Sequence, residues 1–152
     1  FGSKLALLRQ VLERTMEPLA DAIAGLGEAG QAPAADIARL LIRTLRKRPN
    51  LPPLVVREVM LPGGVMQQHF VEYLAPRLGG AMPSLLSREQ AEGRMNGDLD
   101  PRISTLLLLS ISIFPFVVRE TAERALHVPL DEGGLARLER HIEHVLERGF
   151  SP

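Results

Sequence analysis

The chain has no cysteine and no tryptophan, and only one tyrosine and five phenylalanines. Without cysteine there is no disulfide framework and no thiol nucleophile. Neither sign of charge is in excess, since 18 basic residues face 18 acidic ones. A free-standing nucleic-acid binder normally carries a basic excess or stripe, so the balance argues against that class. No uncharged run is long enough to span a bilayer. The longest, Ile103 to Val118, has sixteen residues and contains Ser104, Thr105, Ser110, Ser112 and Pro115, whereas a span needs about 20. A helix apolar on every side is a buried helix, so this run is expected in a core or a subunit interface. No signal-peptide pattern is visible, and a cytoplasmic location is expected. Alternation of period two is absent, as are internal repeats and low-complexity tracts.

What is present is ordinary for one globular domain: 152 residues, 45% hydrophobic and 24% charged. Apolar residues recur at three- and four-residue steps almost throughout, which predicts an all-α chain. Leu5, Leu8, Leu12, Leu19, Ala22 and Leu26 place one face on a first helix from about Ser3 to Leu26, capped by the Ser3 hydroxyl and bent at Pro18. Gly25 to Pro33 reads as a loop. A second helix is expected from about Ala34 to Arg48, with Ile37, Leu40, Leu41, Thr44 and Leu45 on one face. A short third follows from Pro53 to Met60, with proline in its first turn. After Pro62-Gly63-Gly64, a segment from Val65 to Gly93 carries Met66, Phe70, Tyr73, Leu74, Arg77 and Leu78 as one stripe, with Gly79-Gly80 and Pro83 positioned to divide it. Asn96-Gly97 is a turn, and Asp100-Pro101 reads as cap and first turn of the apolar helix. Pro115 bends or ends that helix, and further helix reaches His127. Pro129 to Gly134 reads as a loop. The last helix, about Leu135 to Arg148, sets Leu135, Leu138, Ile142 and Val145 at heptad spacing.

Few motifs carry chemistry. Gly25-Leu26-Gly27-Glu28-Ala29-Gly30 matches G-x-G-x-x-G, but a helix rather than a strand precedes it, and Glu28 sits where a phosphate would. It reads as an inter-helix loop. His141 and His144, three apart beside Glu143, could share a metal, but no third ligand is identified. A packing seam is the simpler reading. Arg43, Arg46, Lys47 and Arg48 close the second helix, where positive charge suits the helix dipole. Glu58, Glu89 and Glu92 form no polarised pair and read as solvated. No nucleophile elbow, P-loop or H-E-x-x-H is present, so no catalytic constellation and no cofactor or metal site is expected. The five methionines, Met16, Met60, Met66, Met82 and Met95, suit either an adaptable apolar pocket or gap-filling in a core.

Four stretches together resemble one family. Phe1-Gly2-Ser3-Lys4 followed by a leucine-rich helix looks like the start of the regulatory domain of TetR/AcrR-type transcriptional regulators. Pro49 through Pro62 is similar to that family's short sixth helix and its flanks. Gln90-Ala91-Glu92-Gly93 followed by Gly97-Asp98-Leu99-Asp100-Pro101 resembles the turn before helix eight, and Leu146-Glu147-Arg148-Gly149-Phe150 resembles the end of helix nine. Leu5 departs from the pattern, because an acidic residue is common after the Ser-Lys pair, and this weakens a capping box.

The resemblance implies a single all-α regulatory domain of about six helices over residues 1–152. Residues 1–4 would be the remnant of a junction with a helix-turn-helix domain absent from these residues. It implies a homodimer paired through a four-helix bundle, with Ile103, Leu107, Ile111, Phe114, Leu138, His141, Ile142 and Val145 at the interface. It implies a small, largely apolar effector held between the first and middle helices. There Met16, Leu19, Ile23, Met60, Met66 and Phe70 would supply area, while His69, Tyr73 and Thr105 orient the ligand. Operator DNA would be met only through the absent domain, with no membrane and no enzymatic activity involved. The alternative from another class is an all-helical dimeric protein-interaction module without a small-molecule effector.

Overall fold

A computed structural model describes residues 3–28, 33–78 and 80–152. Phe1, Gly2 and Gly30, on which the junction and the G-x-G-x-x-G readings partly rest, lie outside them. Among the described residues the chain is all-α, with no strand. In order it comprises α1 (Lys4–Glu28), α2 (Ala34–Lys47) and α3 (Leu51–Val55), which runs on into a π-helical turn (Val56–Met60). It continues with α4 (Gln67–His69), a second π-helical turn (Phe70–Leu74), α5 (Ala75–Leu78), α6 (Ala81–Ala91), α7 (Pro101–Val117), α8 (Arg119–Leu126) and α9 (Glu132–Phe150).

α2 is the centre. It packs against α1, α7 and α9, and buries Ala34, Ala35, Ile37, Ala38, Leu41, Ile42 and Leu45. Two apolar stripes, rather than the one expected from Ile37, Leu40, Leu41, Thr44 and Leu45, let it serve two neighbours; of that expected face Leu40 and Thr44 are only half-buried. α2 and α9 are antiparallel, and an ionic strip fixes their register. Arg39 Nε meets Glu143 at 2.7 Å, Arg43 Nε meets Glu139 at 3.4 Å, and Arg46 meets Glu139 at 3.7 Å and Glu132 at 3.8 Å. Each such pair at a partly exposed edge contributes at most about 1 kcal/mol. Each buried Ile or Leu of α2 contributes about 1.5–3 kcal/mol. Apolar packing therefore holds the helices together, and charge sets how they are aligned. The arginines that end α2 serve this strip. Glu143 holds the Arg39 guanidinium above its ordinary value, chiefly through their hydrogen bond.

Helix ends follow local chemistry. The Ser3 hydroxyl accepts the Ala6 N–H at 3.1 Å, as expected. Asp100 accepts the N–H groups of Arg102 (2.7 Å) and Ile103 (3.0 Å), and Pro101 occupies the first turn of α7. α7 runs through Pro115 and then turns 78° into α8. No single helix among the described residues is long and apolar enough to cross a membrane.

Two boundaries differ from the sequence expectation, and glycine is the reason both times. α1 continues through Gly25 and Gly27 because Gly27 is buried under Leu85, and its carbonyl accepts Arg88 Nη2 at 2.6 Å. α9 begins at Glu132, three residues early. Asp131 caps Gly134 N–H at 2.8 Å, and a Cβ on Gly134 would overlap the Pro129 carbonyl. Both glycines are close-approach residues inside helices, not breaks. The middle segment differs as well. The π-helical turn widens the helix between Phe70 and Leu74. Met66, Phe70, Leu74 and Leu78 therefore face inward, while Tyr73 and Arg77 of the expected stripe face out.

Two measurements test this account. Gly-to-Ala inside a helix ordinarily stabilises by up to about 1 kcal/mol. Gly134→Ala is instead expected to destabilise by about 1–3 kcal/mol, because backbone must move. By contrast Ser112→Ala, which removes a buried hydroxyl with no hydrogen-bond partner among the described residues, is expected to leave stability unchanged or raise it. Chemical denaturation reads both. Secondly, the backbone N–H groups of Ile103 and Arg102 hold the Asp100 carboxyl below its ordinary value. Its stabilising share is then present above the unfolded value near pH 4 and lost as pH falls through the lower folded value. The stability difference between the native chain and Asp100→Asn should shrink on acidification below about pH 4. A difference that stays flat over that range contradicts it.

Candidate functional site

Two regions gather the residues singled out by sequence. The first is the seam between α1 and α4–α5. Met16, Leu19, Ile23 and Met66 are all buried in the hydrophobic core, and Phe70 packs against it. His69 does not look into an apolar space. Its Nε2 lies 3.0 Å from Glu13 Oε1, and its ring stacks on Tyr73 with centroids 5.0 Å apart. One turn on, Arg77 donates to Glu17 at 2.9 Å. These two rungs close α1 onto the middle helices. Met60 and Tyr73 stand exposed, and the Thr105 hydroxyl donates to the Pro101 carbonyl at 2.8 Å. The structure thus buries Met16, Leu19, Ile23 and Met66 in the core with Phe70 against it, and holds His69 to Glu13. It sets Met60 on the surface, Tyr73 as a lid over His69, and Thr105 with its hydrogen bond already used.

The second region is one face of α7 with the adjoining edge of α9. Ile103 (60% exposed), Leu107 (55%) and Phe114 (60%) project from α7, and Val145 (54%) from α9. His141 is exposed beside Val145, and Ile111 and Leu138 are half-buried. Leu106, which sequence reasoning passed over, belongs to the same stripe and is the most exposed of all at 64%. Its spacing of three from Ile103 was the available signal. Ile142 is 3% exposed and belongs to the chain's own core, against which Ile111 and Leu138 also pack, because α9 turns Leu135, Ile142 and Leu146 inward.

Elsewhere the chemistry is structural. His141 Nδ1 lies 2.9 Å from the Arg137 carbonyl, His144 is exposed, and no group of three or more metal-ligating side chains occurs among the described residues. Glu58 and Glu89 are buried rather than solvated. Glu58 meets Arg57 at 2.9 Å and Lys4 at 3.9 Å. Glu89 takes two bonds from Arg94, at 2.7 and 2.9 Å, and raises that guanidinium's pKa. Comparison with models of known protein families and with curated proteins finds no match to this chain.

Ile142 and Val145 separate core from open face. Ile142→Ala should cost about 2–5 kcal/mol of stability. Val145→Ala should cost under about 0.5 kcal/mol when measured at concentrations where the chain is monomeric. Equal losses would contradict the assignment.

Proposed function

We propose that this chain is the effector-binding and dimerisation part of a TetR/AcrR-like transcriptional regulator, working as a homodimer. The observation that carries the reading is the apolar stripe of Ile103, Leu106, Leu107 and Phe114 on α7, beside Val145 on α9. Isolated apolar side chains on a surface need no explanation, but a contiguous row along one helix face marks a surface for association. Two copies related by a two-fold axis would bury the same stripe against itself, giving a bundle of four helices.

The effector site lies at the α1–α4 seam. A small apolar molecule entering between Met16, Ile23, Met66 and Phe70 would have to part the Glu13–His69 and Glu17–Arg77 rungs. In the opened state His69 and Tyr73 would turn to the ligand as its polar contacts. Parting the seam moves α1, whose Ser3-capped end would lead to the DNA-reading domain. An effector that favours the parted state shifts the population and changes operator affinity, and linkage makes the effect reciprocal. A helical interaction module without an effector is the second reading, favoured by the seam being shut.

Sedimentation and circular dichroism test the pairing. The chain should sediment as a dimer, and Leu107→Asp as a folded monomer. A chain that is monomeric at about 100 μM, far weaker than ordinary homodimers, would sink the reading. For the regulatory role, the coding region upstream of Phe1 should specify two short helices joined by a tight turn. A thermal-shift panel of apolar compounds should then find one that stabilises the chain by mass action and loses that effect in Phe70→Asp. A dimer that no compound stabilises favours the interaction module.

A further inference from the structure

Because α2 and α9 run antiparallel, the first turn of α2 meets the last turn of α9. The end of α6 and the loop after it close a third side. Between them lies a cavity of about 260 Å³, open to solvent on one side and lined by none of the nine residues of the expected effector pocket. Its walls are mostly carbon. Leu86, Met95, Leu146 and Phe150 face it, and the volume exists because α2 presents only Ala34 and Ala35 there. Against this apolar wall stands Glu89, with a side chain only 4% exposed. A carboxylate so placed is costly unless it is held by charge. Arg94 holds it, and divides its own charge with Glu92. Glu147 stands at the rim. The charged groups lining the cavity are therefore two carboxylates and one guanidinium.

We propose that this cavity binds a small apolar molecule bearing one cationic nitrogen, an alkyl- or arylalkylamine. Its carbon body lies on Leu86, Met95, Leu146 and Phe150, and its ammonium group is attracted by Glu147 and by the net negative charge of Glu89, Arg94 and Glu92 taken together. An anion of the same shape meets two carboxylates and a guanidinium already engaged by Glu89 and Glu92. The volume lies just below the roughly 300–1,000 Å³ of pockets that hold drug-sized ligands, so the molecule is a small one. The site is independent of the regulator reading and of the α1–α4 seam.

The methionines supply the test. Met95 lines the cavity, Met16 and Met66 lie in the α1–α4 core, and Met60 is on the surface. Methyl-labelled methionine spectra of the whole chain are recorded while phenethylamine is added, with phenylacetate as the charge-inverted control. The expected result is a saturable shift of the Met95 methyl with the amine and at least a tenfold weaker response to the acid. Ala35→Leu, which fills the cavity, should abolish it. Glu147→Gln, an exposed change that leaves the core alone, should weaken amine binding about two- to fivefold. No Met95 shift, a shift that rises without saturating, or equal responses to amine and acid would overturn the proposal. So would saturation at Met16 and Met66 with Met95 unmoved, a result that would instead locate the amine at the effector seam.

Discussion

Burial of α2 on two sides is the constraint on which the rest of the chain depends. A helix with apolar residues at 34, 37, 38, 41, 42 and 45 leaves only one edge for solvent. That edge carries Arg39, Arg43 and Arg46 at helical spacing. α9 answers it with Glu132, Glu139 and Glu143, spaced for an antiparallel neighbour. Once α9 lies along that edge, α7 takes the remaining apolar side and α1 closes the end. Glu139, only 12% exposed and in reach of three arginines, is where a slip of one turn would cost most. Sliding α9 would leave it buried without its partners.

The same arrangement explains why α7 looks unfinished. Its inner side supplies Ser104, Thr105, Leu108, Ser112 and Phe116 to the core, and three of those five are small and polar. Its other large apolar residues Ile103, Leu106, Leu107 and Phe114 stand on the outer side. A helix that buries three hydroxyl residues while four large apolar ones face out departs from the usual amphipathic order. The departure makes sense if the outer side is the second core, completed by another surface.

Much of this was legible in the sequence. The all-α class, the Ser3 and Asp100-Pro101 starts and the burial of α2 follow from period and capping alone. What was not legible came from two sources. Gly27 and Gly133-Gly134 read as breaks because sequence cannot tell a glycine needed for a turn from one needed to admit a neighbour. Leu85 and the Pro129 carbonyl, which decide the matter, are known only once the chain has folded. The closing of α1 onto the middle helices was hidden for a related reason. Glu13 and His69 are 56 residues apart, and Glu17 and Arg77 are 60 apart. No local pattern marks them as partners. The cavity at the far end draws its wall from four separate segments, with the same result. The π-helical turn at Phe70–Leu74 broke the assumption of a constant 3.6-residue period, and Tyr73 was placed on the wrong side for that reason.

The loop between α6 and α7 is tied to the end of α9. Asn96 N–H donates to the Phe150 carbonyl at 2.8 Å, and Gln90 Nε2 reaches the carbonyls of Asn96 and Leu99. The start of α7 and the end of α9 are thereby pinned to one point, while their other ends are joined through the 78° corner and α8, which buries no residue, and through α2, which packs against both. The two helices therefore meet at a fixed corner: Ile103 stands one turn from that tie, whereas Phe114 stands three turns beyond Ile103, beside the 78° bend.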